Sequence, residues 1–159
     1  MKKLITSVSV LLLMVLSVSL QSCSGKIDRT GFMPPVKIRI PNDVKNDAAI
    51  VSFIRSSEKV INALSDRMEN IAVNGKDLLG KKDKDMSVMD KIKMTKMSVQ
   101  LLSVGASLTN ELAKIQNYIE KKQKEGISET DLKAYDAVEK ALEKRIEALN
   151  NKYKNLISH

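Results

Sequence analysis

Three stretches of this chain place an apolar residue at every third or fourth position, and that spacing dictates an amphipathic α-helix in each. The first stripe runs through Ile50, Ile54, Ser57, Ile61, Leu64, Met68, Ile71, Gly75 and Leu78, in the alternating steps of four and three that mark a heptad seam. Phe53, Val60 and Leu79 widen it, while Arg55, Lys59, Asp66 and Asn70 point away. A second stripe joins Met94, Met97, Leu101, Val104, Leu108, Leu112, Ile115 and Ile119, and a third joins Tyr135, Val138, Leu142, Ile146, Leu149, Tyr153 and Leu156. One such helix alone leaves its stripe wet, whereas three close a single narrow core. The expected fold class is all-α: an elongated antiparallel three-helix bundle with coiled-coil-like seams over residues 43–159.

Local signals place the helices at about 43–79, 86–125 and 129–157. Asn42 or Asp43 can cap the first, whose opening turn also holds Asp47. Gly80 suits the left-handed position after its end. A turn at Asn74-Gly75 is the alternative. Ser87 with Asp90 reads as a capping box for the second helix, and Lys121, Lys122 and Lys124 complement its C-terminal dipole before Gly126. Ser128 and Asp131 cap the third, with Ile127 and Leu132 at the two ends of a hydrophobic staple.

Residues 23–42 contain Pro34, Pro35 and Pro41, all the prolines of the chain, and have no helical period. They read as an extended tether: twenty residues of flexible coil average about 25 Å and stretch to about 65 Å. Val36-Lys37-Ile38-Arg39-Ile40 alternates with period two. Without a second strand pattern to pair with, it is expected to lie extended along the bundle.

The amino terminus is a targeting signal. Met1-Lys2-Lys3 is a basic start, Leu4 to Leu20 is an apolar run broken only by Ser and Thr, and Leu20-Gln21-Ser22-Cys23 closes it. An uncleaved anchor, at the short limit for spanning, and an ordinary secretory signal are the competing readings. The layout resembles the lipobox of bacterial lipoproteins, in which Leu, a variable residue and a small residue precede Cys. The resemblance covers roughly residues 1–25, and Gln21 departs from the commoner Ala or Val. It implies that residues 1–22 are a lipoprotein signal peptide, that the Cys23 thiol is diacylglycerylated, and that the new amino group is acylated too. Two or more acyl chains hold a protein to a membrane where one does not. Ser24 stands where inner-membrane lipoproteins of enterobacteria carry Asp, which implies the outer membrane. Removal of 22 residues from 159 leaves 137, and the loss of Lys2 and Lys3 lowers the formal charge from +8 to +6.

The composition excludes most catalytic chemistry. One Cys forms no intrachain disulfide, and His159, the only histidine, is the last residue, so the common nucleophile–base pairs are missing. Glu139 and Glu143 make a carboxylate pair, but on a solvated stripe among lysines. There is no glycine-rich phosphate loop, zinc spacing or calcium loop. An enzyme is not expected, nor a cofactor or metal. Met86, Met89, Met94 and Met97 crowd one stretch, and thioethers bind Cu(I), yet helical geometry puts them in or beside the seam as gap fillers. The richest basic cluster is Lys81, Lys82, Lys84, Lys91, Lys93 and Lys96, diluted by Asp83, Asp85 and Asp90, and it is the candidate anionic-ligand patch. With three tyrosines, two phenylalanines and no tryptophan, stacking on single strands is not expected, and export removes nucleic acid as a partner. The expected function is a non-enzymatic, lipid-anchored cell-envelope protein, held to the membrane by acylated Cys23, acting as a protein-interaction or spacer module for an envelope partner. The alternative is a surface-exposed lipoprotein that binds a host or anionic ligand through the lysine-rich turn. A homo-oligomer through Ile92 and Val99 is a further possibility.

Overall fold

Asp47 opens the first helix. Its carboxylate accepts the N–H groups of Ala49 and Ile50 at 2.9 and 3.1 Å, the geometry of an N-cap, and helix α1 runs Ala48–Asn74. The computed structural model describes residues 28–78 and 81–157. The signal-peptide and lipobox readings, Cys23 included, and those made on Leu79, Gly80 and His159 lie outside these residues. Asn42 and Asp43 are not the cap, because residues 42–46 form successive turns, with Val44 N–H on Pro41 C=O and Asp47 N–H on Val44 C=O. Those turns drive the Val44 side chain into the core at 1% exposure, and the helix starts only after them.

α1 also stops before residue 79. Gly75 N–H bonds Ile71 C=O at 2.8 Å, Leu78 N–H then bonds Gly75 C=O, and Leu78 turns inward and is buried. The Asn74-Gly75 turn is thus the alternative that the chain adopts. A Cβ on Gly75 would stand 2.5 Å from both the Ile71 carbonyl oxygen and the Met97 terminal methyl, so only glycine lets the helix end approach its neighbour so closely.

A single 3-10 turn, Asp83–Asp85, precedes α2, Val88–Glu125. Its capping box forms in both directions: Asp90 N–H donates to Ser87 Oγ and Ser87 N–H to Asp90 Oδ2. Gly126, at φ +97°, ends it in a conformation that L residues rarely adopt. α3 spans Glu129–Ile157, and Ser128 and Asp131 exchange the same reciprocal bonds. Ile127 and Leu132 stand exposed, because the inward face of α3 here belongs to Asp131 and Ala134.

The described residues are all-helical apart from the segments that join or precede these helices. α1 packs against both α2 and α3. Ile50, Phe53, Ile54, Val60 and Ile61 meet Leu108, Leu112, Ile115 and Tyr118 of α2 and Ala134 of α3 in one core. Phe53 stacks on Tyr118 with centroids 4.6 Å apart and meets Tyr135 edge-on at 5.2 Å, so three of the five aromatics join all three helices. Pairings along α1 fix the relative directions: Tyr135, Arg145 and Tyr153 of α3 meet Phe53, Ser65 and Glu69 in rising order, whereas along α2 Met97 lies by Gly75 and Glu111 by Ser56.

Several positions in or beside the stripes depart from expectation. Met68 is exposed, because the buried face of α1 has turned toward Ser65 and Glu69, where it meets polar side chains of α3. Ile146 is exposed because Arg145 takes the inward place. Met89 and Met94 are exposed, and Met97 half-buried, because the early end of α1 leaves the first turns of α2 without a facing helix.

Candidate functional site

An extended backbone has N–H and C=O groups that must find partners, and residues 33–40 find theirs on side chains. Met33 N–H donates to both carboxylate oxygens of Glu69, at 3.0 and 3.1 Å. Val36 exchanges two bonds with the Asn62 amide, at 2.7 and 2.9 Å. Ile38 N–H donates to Glu58 at 2.7 Å, and Arg55 Nη1 donates to Ile38 C=O at 3.2 Å while bridging to Glu58. The order is antiparallel, and the spacing is metric. Five residues of extended chain from 33 to 38, and eleven residues of helix from 58 to 69, both cover about 16 Å. The inward side chains of the period-two run, Val36, Ile38 and Ile40, pack on the core, and Ile38 is only 4% exposed. Residues 33–40, part of the segment read as an extended tether over 23–42, are therefore a strap seated on α1. The expectation that they lie extended along the bundle describes them.

The strap begins at a buried ionic node. Glu69 is fully buried and collects Lys152 Nζ at 2.6 Å, Tyr153 Oη at 2.7 Å and Arg145 Nη2 at 3.3 Å besides Met33 N–H. Arg145, itself buried, also donates to Ser65 Oγ and to Pro34 C=O, and Lys152 donates to Gly31 C=O. Burial pushes the Glu69 carboxyl up. The bonds from Lys152, Tyr153 and Met33 outweigh that and hold it below the ordinary glutamate value. A second buried acid, Asp131, accepts from Tyr118 Oη at 2.5 Å and from Ser128, with Lys122 at 3.2 Å. Burial pushes it up as well, but these partners bring it down to about 2. Burial and the Asp131 bond drive the Tyr118 phenol upward. Glu111 links α2 to Ser56 and Lys59 of α1, and those bonds lower its carboxyl to about 2. The buried acids are thus occupied in holding elements together, and among the described residues no group of three or more His, Cys, Asp or Glu could hold a metal ion.

The six lysines of the candidate patch do not form one point of charge. Lys81 bridges Asp90 at 3.0 Å and Lys93 approaches Asp77 at 3.8 Å, so each is paired locally. Lys82, Lys84, Lys91 and Lys96 are exposed. Lys91 and Lys96 join Val88, Ile92 and Thr95 around a shallow open groove on the first turns of α2, where Val88 and Met89 are 75% and 72% exposed. Sequence patterning found these lysines and the unburied Ile92, but not the exposure of Val88 and Met89 beside it. It also missed the strap's receivers. Glu58, Asn62 and Glu69 form a polar stripe at steps of four and seven, and the signal was an extended segment with no strand to satisfy it.

No described helix is long and apolar enough to cross a membrane. No family model, curated protein or solved structure matches this chain.

Proposed function

We propose that this protein is a lipid-anchored cell-envelope protein, tethered through acylated Cys23, whose helices form an antiparallel three-helix bundle serving as a non-enzymatic interaction or spacer module. The observation that carries the reading is the sequence from Met1 to Cys23, with its basic start, apolar run and Leu20-Gln21-Ser22-Cys23 ending. Two features support it. Contacts along α1 run in the same order as α3 and the opposite order to α2, as an up-down-up bundle requires. At 38 residues α2 is about 57 Å long, a rod able to hold one end of the molecule well clear of a surface. By the same sequence analogy with lipoproteins, the destination is the outer membrane. Metabolic labelling with palmitate tests the anchor: the chain takes up label, and Cys23→Ala abolishes uptake and leaves the uncut precursor. Label that survives Cys23→Ala overturns the reading. Cross-linking in intact cells then identifies the envelope partner.

The exposed lysines favour a second reading, in which the lysine-rich turn binds a host or anionic ligand. Such a partner dissociates steeply as ionic strength rises, whereas a partner on a helix face does not.

A further inference from the structure

We propose that the amino-terminal turns of α2, residues 88–96, dock on the surface of an anionic phospholipid bilayer. This rests on the lipid-anchored reading and specifies what the lysine-rich end of the molecule meets.

The first argument is where the chain enters. Arg29 pairs with Asp66 at 3.1 Å, and Gly31 C=O accepts from Lys152, so the described chain begins beside the C-terminal turns of α1 and α3. Cys23 is five residues from Asp28 and reaches at most about 17 Å from it. An acylated Cys23 therefore holds this end, and not the end at Asp47 and Gly126, next to the headgroups. α1 alone sets those ends about 40 Å apart.

The second argument is what that end carries. Met97 lies against Gly75, and α2 runs opposite to α1, so residues 88–96 continue about 13 Å beyond the end of α1. On those turns Val88 and Ile92 stand exposed between Lys91 and Lys96, and Met89 is exposed on the far side of Lys96. An apolar face flanked by lysines is what an interfacial helix presents to a bilayer: the side chains enter the headgroup boundary while lysine stems lie along the apolar surface and their ammonium groups reach phosphate. Charge supports one choice of occupant. Six lysines at positions 81, 82, 84, 91, 93 and 96 face four acids, Asp77, Asp83, Asp85 and Asp90, so this end of the molecule is net positive. Each lysine brought to an anionic leaflet raises partitioning about fivefold. A second copy of this chain would set the same lysines against each other.

The test uses the full chain purified with its lipid and reconstituted into phosphatidylcholine vesicles with or without phosphatidylglycerol. Once Cys23 is acylated, Thr95→Cys supplies one free thiol in the groove without removing an apolar or basic side chain, and it takes an environment-sensitive fluorophore. Ala49→Cys, at the opposite end, is the reference. Docking shifts the Thr95→Cys emission to the blue and exposes it to nitroxide-lipid quenching only when phosphatidylglycerol is present, and the Ala49→Cys label is unmoved. Lys91→Gln with Lys96→Gln then weakens docking about 25-fold. An acylated chain whose Thr95→Cys label stays water-like in phosphatidylglycerol vesicles overturns docking and leaves the anchor standing. A shift that follows protein concentration regardless of lipid charge assigns the face to a second copy and overturns it too. Mass spectrometry of the same sample reads Cys23 separately, and an unacylated chain overturns the anchor on which the proposal stands.

Discussion

The strap and the first turns of α2 are both apolar segments at the margin of the helical core, yet their fates are opposite. Ile38 and Val44 of the strap region are buried, whereas Val88 and Met89 are the most exposed of the described large hydrophobics. The difference lies in backbone bookkeeping. α2 satisfies its own N–H and C=O groups and needs nothing from outside to keep its turns, so its apolar face can stay bare. The strap has no internal hydrogen bonds, and it is held because Glu58, Asn62 and Glu69 accept its N–H groups at the pitch of an extended chain while Asn62, Arg55 and Arg145 donate to its carbonyls. Burial of its valine and isoleucines then follows from where those acceptors hold it.

If that account is right, the two regions respond very differently to substitution. Glu69→Ala strands Arg145 as a buried charge without its carboxylate and releases the start of the strap. It should cost about 3–5 kcal/mol in urea unfolding, with earlier proteolysis of residues 28–40. A loss under about 1 kcal/mol would show that the node is ornamental. Acid acts next. Glu69 and Asp131 have carboxyls depressed in the folded state, so their stabilisation is fully present above about pH 5 and is lost as pH falls through the folded value, about 2 for Asp131. Asp131→Asn should remove about 2 kcal/mol of stability at neutral pH and flatten the acid limb of the stability profile by a similar amount. An unchanged acid limb would take Asp131 out of the ledger. Asn62→Ala strands both polar groups of Val36 at a half-buried site and should cost about 1.5 kcal/mol, seen as faster amide exchange in the strap before any global change. Ile92→Ser, on the bare face, should change stability by less than about 0.5 kcal/mol. A larger loss would mean that this face has a partner within the chain.

Much of this was legible in advance where the interaction is local. The Ser87–Asp90 and Ser128–Asp131 boxes form as their four-residue spacing requires, and α2 ends and α3 begins where Gly126 and Ser128 put them, because caps are decided within one turn of backbone. Departures come where a position depends on what faces it. Met94 fits the heptad of α2 as well as Leu108 does, but Leu108 has α1 opposite and Met94 has the space left after Asn74. Ile146 and Arg145 are neighbours, and their exchange of inward and outward places follows from Ser65 and Glu69, eighty and seventy-six residues away in sequence. Of the candidate site, the lysines and the unburied Ile92 were readable, while the bare turns around them were not, since their exposure is a property of where α1 stops.

The sequence by itself determined the all-helical class and the caps that open α2 and α3, since each is written in spacings of one to seven residues and needs no knowledge of the rest of the chain. Tertiary structure alone decided that the proline-bearing segment is a strap, that Glu69 rather than Met68 is buried, and that the first turns of α2 are left uncovered beside the chain's point of entry. These depend on which distant surfaces meet, because a polar group is buried only where its partner waits and an apolar one is exposed wherever its neighbour ends.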